Sequence, residues 1–191
     1  MELEFEKFGK IPRLNKDCTI TEKIDGTNAQ IYFDEEGNFL VGSRKREIFP
    51  NGTEGKEKSC DNAGFAKWVY DNHEALFEYL GEGRHFGEWA GLGINRGYNL
   101  PEKRFYLFNT FRFIREDMPV NLREIGLDVA PILYQGKFST DIVNTVMEAL
   151  KEGGSFLSDF DNPEGVIVYH NAAKQYFKVT FEYDAGKWSK Q

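Results

Sequence analysis

The feature that most constrains the fold of this chain is a succession of short strand-like runs separated by turn-forming residues. Its 191 residues include 17 phenylalanines and 19 glycines, and abundant aromatics punctuated by glycine favour strands joined by tight turns. The first three strands are expected to form a meander, followed by a polar surface loop at residues 44–62. Seven or eight strands are predicted, at residues 19–24, 29–33, 39–42, 84–90, 104–114, 129–134, 165–169 and 175–181.

Two segments instead have apolar residues at helical spacing. Residues 65–80 predict an amphipathic helix that ends at Gly81, and Asp61 or Asn62 is positioned to cap its start. Residues 139–154 predict a second helix, with a capping serine before it and two glycines at its end. Strands and helices in this order predict an α+β fold dominated by antiparallel sheet.

Length, charge and cysteine content narrow the class of protein. A chain of this length fits one domain with a sizeable core, and no apolar run approaches the roughly 20 residues needed to cross a bilayer. The N-terminus lacks the parts of a secretion signal, and Cys18 and Cys60 show neither metal-ligand spacing nor a disulfide framework. We therefore expect a cytoplasmic protein with reduced thiols and no membrane partner. The net charge of −7 argues against indiscriminate coating of nucleic acid but is compatible with a local basic groove.

Lys23 is the first candidate for chemistry. It lies where a predicted strand meets Asp25-Gly26, in the sequence Thr-Glu-Lys-Ile-Asp-Gly-Thr-Asn. A lysine presented in this way can be a nucleophile toward an activated phosphate. An equally simple interpretation is a solvent-exposed lysine beside a hairpin turn, because Asp-Gly is a common turn sequence. This segment alone does not decide between the two.

Six segments in a fixed order resemble the motifs of one protein superfamily. They lie at residues 22–28, 42–44, 86–89, 105–108, 164–167 and 176–179, and are similar to motifs I, Ia, III, IIIa, IV and V. Through them the chain resembles the nucleotidyltransferase domain of the covalent nucleotidyltransferase superfamily, which includes polynucleotide ligases and messenger-RNA capping enzymes. Asn28 stands where DNA ligases and capping enzymes usually have arginine, so the nearest resemblance is to ATP-dependent RNA ligases of the RNA-ligase-2 type. It extends over residues 10–181, nearly the whole chain.

This resemblance implies a fold and an activity. The fold is a ligase-type, ATP-grasp-like nucleotidyltransferase domain of mostly antiparallel sheets with flanking helices, expected as a single domain over residues 1–191 without an appended C-terminal domain. The implied activity is that of an RNA ligase that uses ATP and Mg²⁺ or Mn²⁺. A lysyl-AMP intermediate passes AMP to an RNA 5′-phosphate, and an RNA 3′-hydroxyl then displaces AMP, a chemistry suited to RNA repair.

The resemblance also assigns roles to individual residues. Lys23 is the implied nucleophile, and Lys178 the implied second catalytic residue, in contact with the α-phosphate. Because a free lysine has a pKa of about 10.4, a nearby cation such as Lys178 or the metal would favour the neutral amine that attack requires. The implied nucleotide-binding residues are Glu22, Lys23, Asn28, Arg44, Phe86, Glu88 and Lys178, and the implied metal-binding residues are Glu164 and Asp25.

More detailed contacts follow from the same resemblance. Glu164 is the expected metal ligand because Mg²⁺ prefers carboxylate and water oxygens, and Asp25 or Asn28 is expected to hold metal-bound water. The other expected contacts are Glu88 to a ribose hydroxyl, Phe86 to the adenine face, Glu22 to the adenine amino group through backbone or side chain, and Arg44 to ribose and phosphate or to the RNA terminus.

Two positions depart from the family pattern. Thr180 occupies the place of the second motif V lysine, for which Lys174 and Lys187 are candidate replacements, and Asn109 stands where an acidic residue often follows motif IIIa. The aromatic run at residues 105–113 is expected to be sheet core. The three histidines show no shared metal spacing and are expected to be structural or superficial.

Alternative functions remain open at this point. Within the same superfamily they are a capping-type guanylyltransferase and a DNA ligase. From another class, the alternative is a non-catalytic module that binds an RNA end or a nucleotide. The expected partner is RNA with 5′-phosphate and 3′-hydroxyl ends, together with a protein that supplies part of the grip on RNA, because an acidic chain grips RNA weakly.

Overall fold

The computed structural model describes residues 4–56 and 61–184, so Cys60 and Lys187 lie outside the described residues. The helices are α1 (Phe65–Leu80), α2 (Val120–Glu124), α3 (Thr140–Gly153) and α4 (Phe181–Asp184), and short 3₁₀ turns span Gly97–Asn99 and Arg115–Asp117. The strands are β1 (Asp17–Glu22), β2 (Thr27–Phe33), β3 (Phe39–Ser43), β4 (Gly83–Gly91), β5 (Lys103–Leu107), β6 (Leu127–Val129), β7 (Ile132–Lys137), β8 (Gly165–His170) and β9 (Gln175–Thr180).

The strands form two sheets. One has four strands in the order β7-β1-β8-β9, and the other has five in the order β3-β2-β4-β5-β6. Among the described strands, β5 and β6 pair in parallel and all other pairs are antiparallel. This architecture confirms the predicted α+β fold of mostly antiparallel sheets with flanking helices.

A long helix covers one face of each sheet. α1 packs on the five-stranded sheet over buried residues that include Ile31, Phe65 and Phe105. α3 packs on the four-stranded sheet, where Leu150 lies in the same buried cluster as Ile20. No helix in the described part of the chain has the length and apolar character needed to span a membrane.

A third buried cluster lies where the chain passes between the two sheets. It combines Ala90 and Tyr106 of the five-stranded sheet with Ile24 and Ala130 of the connecting segments and with Tyr98 of the loop after β4. Because successive side chains on a strand point to opposite faces, the residues that alternate with the helix-covered core residues point into the space between the sheets. We call this space the cleft.

Both predicted helices are confirmed. α1 has the predicted bounds and ends at Gly81, whose φ of 67° is left-handed. Asp61 stabilises its start, since the carboxylate Oδ1 accepts the N–H of Lys67 at 2.9 Å. Ser139 caps α3, because its hydroxyl oxygen accepts the N–H of Ile142 at 3.1 Å.

The predicted meander of the first three strands is wrong. β2 pairs with β3 in the five-stranded sheet, whereas β1 pairs with β7 and β8 in the four-stranded sheet. Residues 23–26 therefore do not form a hairpin turn and instead carry the chain from one sheet to the other. An Asp-Gly pair permits both paths, and the partners that select the path are more than 100 residues away in sequence.

Two further strand predictions need correction. The strand predicted at residues 104–114 ends at Leu107, and the turns that follow leave Phe108 and Phe111 exposed, so the aromatic run is only partly core. The strand predicted at residues 129–134 is two strands in different sheets. Pro131 separates them, because a proline has no N–H to continue a ladder.

The polar stretch at residues 44–62 is only partly a surface loop. Ile48 is buried, and its N–H donates to the carbonyl of Val41 at 2.9 Å. The side chain of Asn62 accepts a hydrogen bond from the hydroxyl of Thr27 at 2.8 Å. This stretch therefore packs against the first strands of the five-stranded sheet at both of its ends.

Candidate active site

Residues 23–26, which carry the chain from one sheet to the other and which we call the crossing, place Lys23 in the cleft. The N–H of Glu22 donates to the carbonyl of Pro131 at 3.0 Å, and the N–H of Lys23 donates to the carbonyl of Gly165 at 2.8 Å. The N–H of Asp25 donates to the hydroxyl of Tyr98 at 2.8 Å. Three segments distant in sequence thus hold the backbone on which Lys23 stands.

Gly26 is required by the closeness of this crossing to β4. A Cβ at position 26 would lie 2.5 Å from the carbonyl oxygen of Trp89, 2.8 Å from the Cβ of Ala90 and 2.9 Å from the Cγ of Glu88. Contacts this short with backbone and neighbouring stems are not tolerated without movement of the chain. Glycine therefore lets the backbone pass directly over the strand that carries Glu88.

Lys23 and Glu164 form an ion pair in the cleft. Lys23 Nζ lies 2.5 Å from Glu164 Oε2, and each side chain is 21% exposed. Glu164 directly precedes β8, the strand that pairs with β1. The fold therefore joins two residues that lie 141 positions apart in the sequence.

Glu88 faces this pair from the other sheet. It is directly opposite Asn28 in the pairing of β2 with β4, and Asn28 Nδ2 donates to its Oε2 at 2.7 Å. Burial raises the pKa of Glu88 to about 7, although the Asn28 amide, the Lys23 ammonium and the N–H of Gly26 act in the opposite direction. The charge of Glu164 adds to the rise. Glu88, Lys23 and Glu164 thus form one electrostatic unit across the cleft.

Asp25 is held by the loop that follows β4. Asn95 Nδ2 donates to Asp25 Oδ1 at 3.0 Å, and Arg96 Nε donates to Oδ2 at 3.1 Å. Both carboxylate oxygens therefore have a protein partner. The role of Asp25 beside a metal stays a prediction, and this geometry favours a role in fixing the crossing.

The carboxylate of Glu22 is buried below the crossing. It accepts the Ser155 hydroxyl at 2.7 Å and the N–H of Phe156 at 2.8 Å, and burial raises its pKa. These bonds attach the segment after α3 to the end of β1. The predicted adenine contact of Glu22 stays a prediction, and both oxygens of its side chain already have a protein partner.

Three predicted nucleotide-binding residues are exposed. Phe86 is on the same face of β4 as Glu88 and is 50% exposed. Lys178 is exposed on β9, opposite Ile167 of β8 and on the face away from α3. Arg44 is exposed directly after β3. Their roles stay predictions, and their positions leave them accessible to a ligand.

Lys174 does not lie near Thr180, the position of the second motif V lysine, and therefore does not replace it. Thr180 is buried and lies opposite Gly165, at the end of the hairpin nearest Glu164. Lys174 lies in the turn between β8 and β9, at the other end of the same hairpin. The remaining candidate, Lys187, lies outside the described residues.

A family model described as RNA ligase matches residues 16–181. The chain belongs to the RNA ligase family. This confirms the resemblance inferred from the six ordered segments. A search of curated proteins finds no match.

Solved RNA ligase structures share this fold. A mutant of the Naegleria gruberi RNA ligase with AMP and Mn has a TM-score of 0.63 and 18% identity, over 93% of this chain and 53% of that one. Another mutant of the same ligase, with ATP and Mn, has a TM-score of 0.63 and 17% identity over the same shares. An archaeal ATP-dependent RNA ligase has a TM-score of 0.56 and 17% identity, over 92% of this chain and 48% of that one. The chain therefore spans about half the length of these ligases.

The carboxylates of this RNA ligase family member suit a hard divalent cation. Glu164 and Glu88 both face the cleft, and Mg²⁺ is usually bound by one or two carboxylates together with water and substrate phosphate. Among residues 4–56 and 61–184, no three His, Cys, Asp or Glu side chains come together as a metal site. Two carboxylates that face the cleft are compatible with a cation that also takes water and substrate phosphate as ligands.

Sequence reasoning missed the residues that support the crossing. Asn95, Arg96 and Tyr98 all contact residues 23–26, and Ser155 contacts Glu22. The one available signal was the glycine-rich sequence Gly-Leu-Gly-Ile-Asn-Arg-Gly at residues 91–97. Such clustering marks an irregular loop, but it does not indicate what the loop contacts.

Proposed function

We propose that this chain is an ATP-dependent RNA ligase that works through a lysyl-AMP intermediate on Lys23. The observation that carries the proposal is the cleft in which Lys23 pairs with Glu164 at 2.5 Å while Glu88 faces them from the other sheet. Membership of the RNA ligase family supports the same chemistry.

In the first step, the Lys23 amine attacks the α-phosphorus of ATP. A nitrogen–phosphorus bond forms, the bond from that phosphorus to the bridging oxygen of pyrophosphate breaks, and pyrophosphate leaves with the bonding electrons. The amine must be unprotonated when it attacks. The crossing fixes Lys23 at the boundary of the two sheets, and positioning of this kind supplies much of the rate of phosphoryl-type transfers.

In the later steps, an oxygen of the RNA 5′-phosphate attacks the adenylyl phosphorus, and the bond to Lys23 breaks as the lysine regains a proton. The RNA 3′-hydroxyl then attacks the 5′-phosphate, and AMP leaves as the phosphodiester forms. We assign contacts with the phosphates of either substrate to the exposed cations Lys178 and Arg44. Phe86, on the same face of β4 as Glu88, offers an exposed ring to the adenine.

Glu164 and Glu88 are the residues we propose to hold Mg²⁺ or Mn²⁺. When bound, this cation neutralises charge on the reacting phosphate. The Naegleria ligase structures contain Mn together with AMP or ATP, which supports the use of a divalent cation. Asn28 keeps Glu88 oriented through its amide, and Asp25 keeps the crossing fixed through Asn95 and Arg96.

Incubation with α-labelled ATP and Mg²⁺ or Mn²⁺ tests the proposal. We expect covalent label on the wild-type chain, loss of label in Lys23→Ala, and full label in Lys151→Ala, which alters an exposed lysine of α3 away from the cleft. An unlabelled wild-type chain, or an equally labelled Lys23→Ala variant, contradicts the proposal.

Labelling, sealing and pyrophosphate-release assays separate the alternative functions. Labelling by GTP in preference to ATP indicates a capping-type guanylyltransferase. Sealing of nicked DNA but not of RNA indicates a DNA ligase. Tight ATP binding without release of pyrophosphate indicates a non-catalytic module. The ligase proposal predicts ATP preference and joining of RNA 5′-phosphate and 3′-hydroxyl ends.

A further inference from the structure

The loop after β4 has an unusual backbone and lies against the crossing. Asn95, Gly97, Tyr98 and Asn99 all have positive φ values, of 43°, 66°, 52° and 51°. Left-handed backbone at non-glycine residues carries a free-energy cost and persists only where surrounding contacts fix it. In this loop the backbone is fixed by a hydrogen bond from Asn95 to the carbonyl of Gly26 at 2.6 Å and by the full burial of Tyr98.

Arg96 extends from this loop to three separate segments. Its Nε donates to Asp25 Oδ2 at 3.1 Å, and its Nη1 donates to the carbonyl of Asn162 at 3.0 Å. Its Nη2 donates to the carboxylate of Glu182. The Arg96 side chain is only 14% exposed and Asp25 is 29% exposed, so this pair is less screened by water than a surface pair. The Glu182 side chain is 71% exposed, so its bond to Arg96 is the more strongly screened one.

Each of the three segments carries a residue of the candidate site. Asp25 is two residues after Lys23, Asn162 is two residues before Glu164, and Glu182 lies just after β9, the strand of Lys178. The guanidinium of Arg96 therefore joins the segments that carry Lys23, Glu164 and Lys178. A lysine at this position lacks the planar fork that serves three acceptors at once.

We propose that Arg96 is a positioning residue that sets the distance between Lys23, Glu164 and the motif V strand for attack on ATP. This inference rests on the proposed function, because the geometry it fixes matters only if Lys23 is the nucleophile. Misplacement of a reacting group by about 1 Å can cost about 100-fold in rate. Loss of Arg96 therefore affects the adenylylation rate more than it affects ATP binding.

The test measures single-turnover formation of the covalent AMP adduct over a range of ATP concentrations. For Arg96→Ala we expect a maximal rate lower by about 10- to 100-fold, with the half-saturating ATP concentration changed by less than about 3-fold. For Arg96→Lys we expect little recovery of the rate, because the charge returns without the three-way contact.

Arg104→Ala is the matched control. Arg104 is also largely buried, and it contacts the carboxylates of Glu102 and Asp128 and the carbonyl of Arg123. None of these residues lies in the three segments. We expect this variant to lose stability and to retain the wild-type adenylylation rate. An equal loss of rate in both variants would make the effect of Arg96 a general consequence of destabilisation and would overturn the proposal.

Two milder variants keep the proposal testable if Arg96→Ala fails to fold. Glu182→Gln and Asp25→Asn each weaken one contact of the guanidinium, and each is expected to slow adduct formation. In the double variant Arg96→Lys, Asp25→Asn, the two effects should be less than additive, because both act on one contact. Full additivity, or a wild-type rate in both Glu182→Gln and Asp25→Asn, overturns the role of Arg96. Absence of adduct in the wild-type chain instead contradicts the proposed function itself.

Discussion

At the scale of single residues, Gly26 shows how the sequence allows the two sheets to approach. The backbone passes so close to β4 that a methyl group would meet the carbonyl oxygen of Trp89 at 2.5 Å. Glycine in the Lys-x-Asp-Gly segment is therefore a packing requirement of the crossing, separate from any role of Lys23 in chemistry.

Gly26→Ala should destabilise the chain by about 1–3 kcal/mol and slow adenylylation, because the crossing must move away from β4. Urea unfolding gives the first quantity and the labelling assay gives the second. Gly153→Ala is the control, since nothing lies within 4 Å of a Cβ at that position. Equal stability of the two variants would show that position 26 has room for a side chain.

Burial of Glu88 makes the free energy of unfolding depend on pH. Its pKa rises from 4.5 to about 7 on folding because it is buried, so the unfolded state loses its proton at lower pH than the folded state does. The contribution of Glu88 to stability is therefore present below pH 4.5 and is lost as pH rises toward 7. Glu88→Gln removes this dependence. Relative to that variant, wild-type stability should fall by up to about 3 kcal/mol between pH 4 and pH 8, as measured by urea unfolding. Parallel stability profiles for the two proteins would contradict this assignment.

At the scale of elements, local sequence signals predicted what depends on near neighbours. The bounds of α1, the capping of α3 by Ser139 and the hairpin of β8 with β9 all follow from spacing, caps and turns within a few residues. The crossings at residues 23–26 and at Pro131 were missed. In both places the chain changes sheet, and the choice is made by strands far away in sequence.

Ser139→Ala tests whether the N-terminal cap of α3 contributes to stability without affecting the candidate active site. Loss of the hydrogen bond from Ile142 N–H should cost about 1 kcal/mol of stability, measured by urea unfolding. Adenylylation should be unchanged, because α3 covers the face of the four-stranded sheet opposite the cleft. A loss of adenylylation rate in a folded Ser139→Ala protein would argue against this separation.

At the scale of the whole molecule, the fold brings residues that are far apart in the sequence together in one candidate site. The family resemblance predicted Lys23, Glu88 and Glu164, and the cleft brings them together. It did not predict Arg96, whose partners are 71, 66 and 86 positions away and give no sequence pattern. Family motifs therefore identify groups assigned to the chemistry, while the residues that hold those groups in place emerge from the folded structure.

The acidic net charge of −7 argues against a large basic surface for the RNA that the proposed function requires. We expect binding of 5′-phosphorylated single-stranded RNA to involve fewer than about four phosphates. The slope of log K against log salt concentration should then have a magnitude below about 3. Fluorescence anisotropy at several salt concentrations measures this slope, and Arg44→Ala should make it shallower by about 0.7. A steeper slope would indicate a basic surface much larger than the cleft rim.

The most direct test of the central claim is mass spectrometry of the chain after incubation with ATP and Mg²⁺, followed by proteolysis and mapping of the modified peptide. The proposed function predicts a single adenylyl group attached to Lys23 Nζ. An adenylyl group on another residue, or an unmodified chain under conditions in which ATP binds, would contradict the claim that Lys23 is the nucleophile.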